Sequence, residues 1–464
     1  MASKAPVIDF SALTKGGSLM ASLEASLQPK EIKKDGPVTS KVTTAFPLNE
    51  DQAAAVSAMV QFLDRKSEMF FRLVGPAGTG KTFCIKDLIN RIRGRLVFTA
   101  PTNKATKVLR ESVTTDDYKP DCRTIYSLLG LKLEANGEIQ ELAAPEDPID
   151  LSRFLAVVVD EASMLNKQLV EYMVQAAETQ NIQFILMGDE FQLPPVGEKK
   201  SVIWALDAPE HRLTKVMRHD NQILALVTRI RGLMSHPCPT VRVVSDNDGT
   251  EGVWEMKAVD FYAKMREMAR AGHFTRVNGA KAVAWRNVTV DEMNKVIRNE
   301  IFDNPAAEWV VGDRLTMLAP AKDFDGEDVA HTDDEGVVTA INEAWHPLYE
   351  QFLCNAVSVT FDDNHTGTVW LIHPSARAEF ERYLTSLAAQ AREQRSLWKT
   401  YWQIKESFHS AKHAYAITAH RAQGSTYEIG FVNYRDILLN RDRVEALKCL
   451  YVAFTRFKKM LHSS

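Results

Sequence analysis

Short apolar runs alternate with amphipathic stretches through the first half of the chain. The runs are Met69–Val74, Arg95–Ala100, Phe154–Val159 and Gln183–Met187. Each is of strand length and ends on polar or turn-forming residues, so each reads as a buried strand. Ahead of the first run, Ala55, Val56, Met59, Val60 and Leu63 recur at i, i+3, i+4 from Gln52 onward, behind Asn49 or Asp51 as a capping residue. This predicts a helix, and Phe83–Ile92 predicts another just after the first strand. Nearly continuous apolar strands that alternate with helices imply a parallel sheet covered on both faces.

The second half repeats the theme. Gly279–Trp285 reads as a strand and Asp291–Phe302 as a helix, while Ala416–Thr418, Ile429–Asn433 and Cys449–Val452 supply further strand and turn elements. Residues of roughly 308–410 interrupt this second α/β domain. They carry β-type runs at Arg314–Leu318, Gly336–Ile341, Ala356–Phe361 and Thr368–Ile372, which predict a small β-barrel. An aromatic helical stretch follows, Arg377–Phe408, with Trp398, Tyr401 and Trp402; such a cluster more often packs a core than stacks on bases. Alternation around Asn136-Gly137 predicts a hairpin within an excursion at 131–152. Residues 1–45 lack apolar periodicity and are expected to form a flexible extension.

Composition narrows the class only a little. The 464 residues are 45% hydrophobic and 25% charged, an ordinary soluble mix, and the net charge of −4 supplies no bulk basic field for nucleic acid. A basic groove is still compatible with a near-neutral total. The cysteines at 84, 122, 238, 354 and 449 form no C-x-x-C pair, which argues against zinc or a disulfide framework and favours a reducing cytoplasm. No apolar run approaches the roughly 18 residues that cross a bilayer, so no membrane partner is expected.

The chemistry concentrates at strand ends. After the first strand come Gly75, Pro76, Ala77, Gly78, Thr79, Gly80, Lys81 and Thr82, then a helix. This G-x-x-x-x-G-K-[ST] pattern lets backbone N–H groups from Ala77 to Lys81 wrap a polyphosphate at a helix N-terminus. Lys81 would reach the β- and γ-phosphates, and the Thr82 hydroxyl would hold Mg²⁺. Asp160, at the tip of the third strand, occupies a Walker-B position able to hold the same ion. Glu161 beside it is placed to orient or deprotonate an attacking water. Gln192, after the fourth strand, is placed to sense the γ-phosphate or that water. In sheets of this kind ligand groups gather beyond the carboxyl ends of the strands.

Taken with these, Ala100–Ala105, Thr124–Ser127, Asp160–Ser163, Gly188–Pro195, Leu213–Arg218, Ala284–Asn287, Thr418–Gly424 and Leu450–Arg456 form an ordered motif series. In order and spacing the chain resembles superfamily 1 DNA helicases of the 5′→3′ branch, the RecD/Dda-like group, from about Leu48 to Met460. The resemblance implies two RecA-like parallel-sheet domains with ATP between them, an inserted β-hairpin pin and an SH3-like β-barrel domain. The implied boundaries are an extension at 1–45, a first RecA-like domain at 46–208 with the pin at about 131–152, a second at 209–307 and 411–464, and the SH3-like domain with its helical extension at 308–410. Gln52 matches an adenine-reading glutamine, and Gly424 matches a nucleotide-side glycine. Arg218 and Arg456 match arginine fingers. Pro101, Thr102, Asn103, Thr124, Ser127, Asn287, His420 and Ser425 match positions that lie along single-stranded DNA.

The implied activity is an ATP- and Mg²⁺-dependent 5′→3′ translocase and helicase, acting as a monomer on single-stranded and forked duplex DNA. Replication or recombination of a phage genome, beside single-strand-binding or replisome proteins, is the implied setting. The hairpin carries no aromatic residue between Leu131 and Pro148, so a steric rather than a stacking wedge is expected. Two other readings stay open on the residues alone: an ATPase that remodels protein–DNA complexes or acts on RNA, and a binding module with a degenerate site.

Overall fold

The computed structural model describes residues 47–92, 94–116, 118–136, 138–195, 197–215, 222–236 and 240–464. The expected extension at 1–45 and Arg218 lie outside the described residues. The chain divides into two compact units, one holding the described parts of 47–132 and 144–215, the other those of 133–143 and 222–464.

The first unit is built on a six-stranded parallel sheet. Its spatial order is Asp121–Thr124, Leu96–Ala100, Ala156–Val159, Gln183–Gly188, Phe70–Val74 and Glu210–Arg212. Residues of Leu96–Ala100, Ala156–Val159 and Gln183–Gly188 are buried throughout, because helices cover both faces. Helix Glu50–Arg65 begins in a capping box: Asn49 accepts from the Gln52 N–H at 2.8 Å, and Gln52 Oε1 accepts from the Asn49 N–H at 3.1 Å. Its stripe of Ala55, Val56, Met59, Phe62 and Leu63 packs with Phe71, Leu73, Cys84, Ile85 and Leu88. The first helix thereby presses on both the strand and the helix that flank the phosphate loop. Strand Glu210–Arg212 pairs with Phe70–Val74, so the first sheet runs past the boundary expected at 208.

The second unit has its own six-stranded sheet, ordered Ala416–Thr418, Ala280–Ala284, Tyr427–Val432, Phe457–Ser463, Gly252–Glu255 and Asp246–Asn247. All pairs are parallel except the last. One expectation fails here. Cys449–Val452 is not strand-like but lies within helix Arg443–Thr455, capped by Asp442, and Arg456 closes that helix. Ala446, Leu447 and every residue from Cys449 to Phe454 are buried, and a segment apolar on all sides carries no period that separates strand from helix.

Within the interruption and just past its end, five strands form one antiparallel sheet in the order Thr366–Ile372, Tyr349–Phe361, Glu335–His346, Arg314–Met317 and Ala411–His413. Among the described residues no pairing joins the first and last strands of this ladder, so the expected SH3-like barrel is not confirmed. Buried polar pairs join this sheet to the second core through Asp313 and Glu335, and the Arg314–Asp362 pair ties the sheet to itself. Arg298 donates to Asp313 at 2.9 Å and Tyr415 Oη donates to the same carboxylate at 3.0 Å; Lys281 donates to Glu335 at 2.8 Å, and Arg314 to Asp362 at 2.7 Å. Helices Arg377–Glu393 and Leu397–Ser407 pack on the long strands through Phe352, Cys354, Leu387, Ile404 and Phe408. Trp398 is buried, as the packing reading expects.

The hairpin forms as Lys132–Asn136 and Ile139–Ala143. Glu138 pairs with Arg392 and Gln140 with Glu406, both on that helical segment. Leu133 and Ile139 are exposed on it, so its projecting apolar groups are aliphatic.

Candidate active site

The phosphate loop is shaped by glycines where no other residue fits. Gly78 and Gly80 both have φ of 84°, a left-handed conformation disfavoured for residues with a Cβ. A Cβ on Gly80 would also sit 2.5 Å from Gln52 Nε2. The turn is braced from within: Thr79 Oγ1 donates to the Pro76 carbonyl at 2.9 Å, and Gln52 Nε2 donates to the Thr79 carbonyl at 3.0 Å. Gln52 is 2% exposed, and both ends of its amide are committed, one to the loop and one to the capping box. Its placement here is that of a brace.

Lys81 opens helix Lys81–Arg91, and its ammonium donates to the Gly75 carbonyl at 2.5 Å and the Pro76 carbonyl at 3.4 Å. Thr82 follows one residue into the same helix. Asp160 lies at the end of Ala156–Val159 and accepts from the Glu161 N–H at 2.8 Å. Burial pushes the Asp160 carboxyl up, while the Glu161 N–H and the Lys81 cation act against it. This donor set fits a magnesium–nucleotide: a left-handed glycine cradle, one lysine, one threonine hydroxyl and one aspartate within the lysine's field. Thr82 and Asp160 would hold the Mg²⁺.

Glu161 has φ of 50°, a left-handed backbone on a non-glycine residue. Such conformations persist where surrounding structure enforces them, and they gather at functional sites. Its backbone is held by the Glu161 N–H on Asp160 Oδ1 at 2.8 Å and the Met164 N–H on the Glu161 carbonyl at 3.0 Å, and two residues on lies a bridge that no sequence motif marks. Ser163 Oγ donates to the Asp189 carbonyl at 2.9 Å and accepts from the Asp189 N–H at 3.1 Å. It ties the loop after one strand to the loop after the next. The Asp189 carbonyl also accepts from the Gln192 N–H at 3.1 Å, and Asp189 Oδ1 accepts from the Phe191 N–H at 3.0 Å. Gln192 is 5% exposed. One small buried network thus joins the loop that carries Glu161 to the loop that carries Gln192. Ser163→Ala would take this partner from the buried Asp189 N–H, at a cost of about 1–3 kcal/mol, while the Asp189 carbonyl keeps the Gln192 N–H. The expected result is a lower melting temperature and a kcat for ATP that falls more than the nucleotide affinity. An unchanged kcat in a stably folded variant would remove the positioning role.

The positions matched to a DNA strand are spread over both units. In the first, Pro101 is buried. The Thr102 hydroxyl caps helix Asn103–Val113 by accepting from Ala105 N–H at 3.2 Å, and Asn103 is half-buried. Thr124 caps Ile125–Leu128 by accepting from Ser127 N–H at 3.1 Å, and Ser127 is exposed. In the second, Asn287 is exposed at the start of helix Asn287–Phe302. Asp436, which no sequence motif singled out, organises that turn. It accepts from the Trp285 N–H at 2.8 Å, the Arg286 N–H at 3.0 Å, Arg286 Nε at 2.6 Å and Thr289 Oγ1 at 2.7 Å. Burial opposes its charge, but these donors prevail and hold its carboxyl below the usual range.

His420 Nε2 lies 3.5 Å from Glu445 Oε1, with Cys449 beside them. Burial pushes the Cys449 thiol up to about 12, which suits packing and not a metal thiolate. Gly424 has φ of 76°, so the turn it makes favours glycine. Ser425 is 1% exposed, and its carbonyl accepts from Arg456 at 3.3 Å. The structure therefore gives Ser425 a contact with Arg456, not an open hydroxyl.

A phosphate loop, a Walker-B aspartate and two RecA-like parallel sheets define a P-loop NTPase of helicase architecture. Residues 47–235 match the AAA_30 family model, an AAA domain. The chain is 25% identical to the ATP-dependent DNA helicase dda of Enterobacteria phage T4 across 88% of this chain and 97% of that one. It is 24% identical to an uncharacterized protein of Acanthamoeba polyphaga mimivirus over 89% and 99% of the two. In fold it is similar to a solved structure of Pif1 helicases unwinding forked dsDNA, with a TM-score of 0.50 at 16% identity over 90% of this chain and 92% of that one. These likenesses support a superfamily 1 helicase of the 5′→3′ Dda/Pif1-like branch.

Proposed function

We propose that this ATP-dependent DNA helicase moves 5′→3′ along single-stranded DNA and parts the duplex ahead of it. The observation that carries the reading is the braced glycine loop whose Lys81 acts on the Asp160 carboxyl, in a chain that aligns with a phage helicase over nearly its whole length. Lys81 binds the β- and γ-phosphates, Thr82 and Asp160 hold Mg²⁺, and Glu161 with Gln192 positions the attacking water. Bound Mg²⁺ supplies charge neutralisation between the phosphates. Arg218 and Arg456 act as the arginine fingers on the transferred phosphoryl group. Gly424 serves the nucleotide side, and Gln52 serves it through the loop that it braces.

Pro101, Thr102, Asn103, Thr124, Ser127, Asn287 and His420 lie along the strand. Small hydroxyls, amides and backbone groups at these positions suit a translocase, since they hold phosphates without reading bases. Each cycle advances the enzyme by about one nucleotide, with domain closure and release setting the rate. The hairpin acts as a steric wedge through Leu133 and Ile139, and the insertion at 308–410 acts as the SH3-like domain that supports it. The working form is a monomer on forked DNA in viral replication or recombination, in the host cytoplasm beside single-strand-binding proteins. No helix among the described residues is long and apolar enough to cross a membrane.

Forked substrates bearing a single tail test the direction. Unwinding should require the 5′ tail, and a preference for the 3′ tail would overturn the assignment.

A further inference from the structure

We infer that Thr455 is a positioning residue that holds the Arg456 guanidinium in a docked state apart from hydrolysis, and that the loop 418–425 controls its release. The inference rests on the reading of Arg456 as an arginine finger.

Arg456 is 6% exposed at the C-terminal end of helix Arg443–Thr455. Its Nε donates to the Val452 carbonyl and to Thr455 Oγ1, each at 3.2 Å, and one terminal nitrogen donates to Thr455 Oγ1 at 2.8 Å. The other terminal nitrogen donates to the Ser425 carbonyl at 3.3 Å. The Thr455 hydroxyl spends its own proton on the Val452 carbonyl at 2.8 Å, which leaves its oxygen as a pure acceptor for the guanidinium. A cation over the last carbonyls of a helix is also favoured by the helix dipole.

The chemistry of this dock is informative. Every acceptor is neutral, and among the described residues no carboxylate forms an ion pair with Arg456. A carboxylate would hold the guanidinium with bonds roughly twice as strong as neutral ones, whereas neutral acceptors yield to a phosphate. The dock is therefore built to be left. One of its anchors is a carbonyl of the loop that also carries His420 and the left-handed Gly424. That loop is braced as a unit, with Ser425 N–H on the Ala422 carbonyl at 3.1 Å and Tyr427 N–H on the Arg456 carbonyl at 2.8 Å. A strand that engages the loop and shifts Ser425 removes an anchor and favours the undocked finger. A ligand shifts such an equilibrium only through its different affinity for the two states. Here the difference lies in one carbonyl. Stimulation of ATP hydrolysis by DNA follows from this linkage.

The test measures ATPase of the full chain with and without saturating oligo-dT. Thr455→Val keeps the side-chain shape and removes the acceptor. The DNA-free rate should rise about tenfold, from the loss of hydrogen bonds to a charged group, with the DNA-saturated rate within about twofold of wild type. Thr455→Ser should restore the wild-type ratio, and Thr455→Ala serves if the valine variant does not fold. A stimulation ratio that stays unchanged in a folded variant, or equal losses in both rates, would overturn the inference. Arg456→Ala, run in parallel, separates the two readings. If it lacks hydrolysis while Thr455→Val behaves as wild type, only the docking mechanism falls. If it hydrolyses ATP normally, the finger assignment falls and the docking mechanism with it.

Discussion

Lys81→Ala is expected to abolish DNA-stimulated ATP hydrolysis while leaving the fold intact. The structure places this ammonium both on the phosphate loop and within the field of Asp160. Removing a preorganised charge at a developing phosphate charge costs on the order of 10²- to 10³-fold or more in kcat. The loop itself should survive. Its shape is set by the left-handed glycines, by Thr79 on the Pro76 carbonyl and by Gln52 on the Thr79 carbonyl, none of which needs Lys81. The melting temperature should therefore move little. With Lys81 gone, the buried Asp160 carboxyl loses an influence that opposes the upward push of burial, so magnesium-dependent nucleotide binding should weaken further toward low pH. Near-normal turnover by a folded Lys81→Ala protein would sink the phosphate-loop assignment.

Arg456→Ala is expected to bind nucleotide almost normally and to hydrolyse it ~10³- to 10⁵-fold more slowly, the range for an arginine finger. Its docked contacts are all within its own unit, and their loss should lower that unit's stability only modestly. Single-turnover hydrolysis alongside fluorescent-nucleotide binding distinguishes the two effects. A parallel fall in affinity and rate would point to a binding role. Retained hydrolysis would remove the catalytic one.

The chemistry of the first unit was readable because each of its parts is local in sequence. A phosphate loop is eight consecutive residues between a strand and a helix, and its glycines and lysine announce the geometry they need. Asp160 and Glu161 end an apolar strand, which places them at a ligand-bearing edge without further information. The hairpin was equally legible from its alternation about Asn136. The bridge from Ser163 to Asp189 was not. It joins loops 26 positions apart, and nothing in a serine marks it as the partner of a particular carbonyl. Asp436 escaped notice for the same reason, since the turn it holds lies about 150 positions earlier in the chain.

The second half shows where local pattern stops being informative. Cys449–Val452 is apolar enough to suit either a strand or a buried helix, and only its surroundings decide between them. The inserted strands were legible one by one, yet their order in the ladder depends on which edges meet. Likewise Gln52 was matched to a base-reading role by its position, while the folded chain commits both ends of its amide to structure. By itself the sequence determined the presence of two nucleotide-type cores, the phosphate loop and its carboxylates, because short-range spacing and burial alternation specify them. The tertiary structure alone decided how the loop that carries Glu161 is joined to the loop that carries Gln192, which turn Asp436 organises and where Arg456 rests. Those facts are hydrogen bonds between segments far apart in the chain, and their geometry exists only once the sheets have packed.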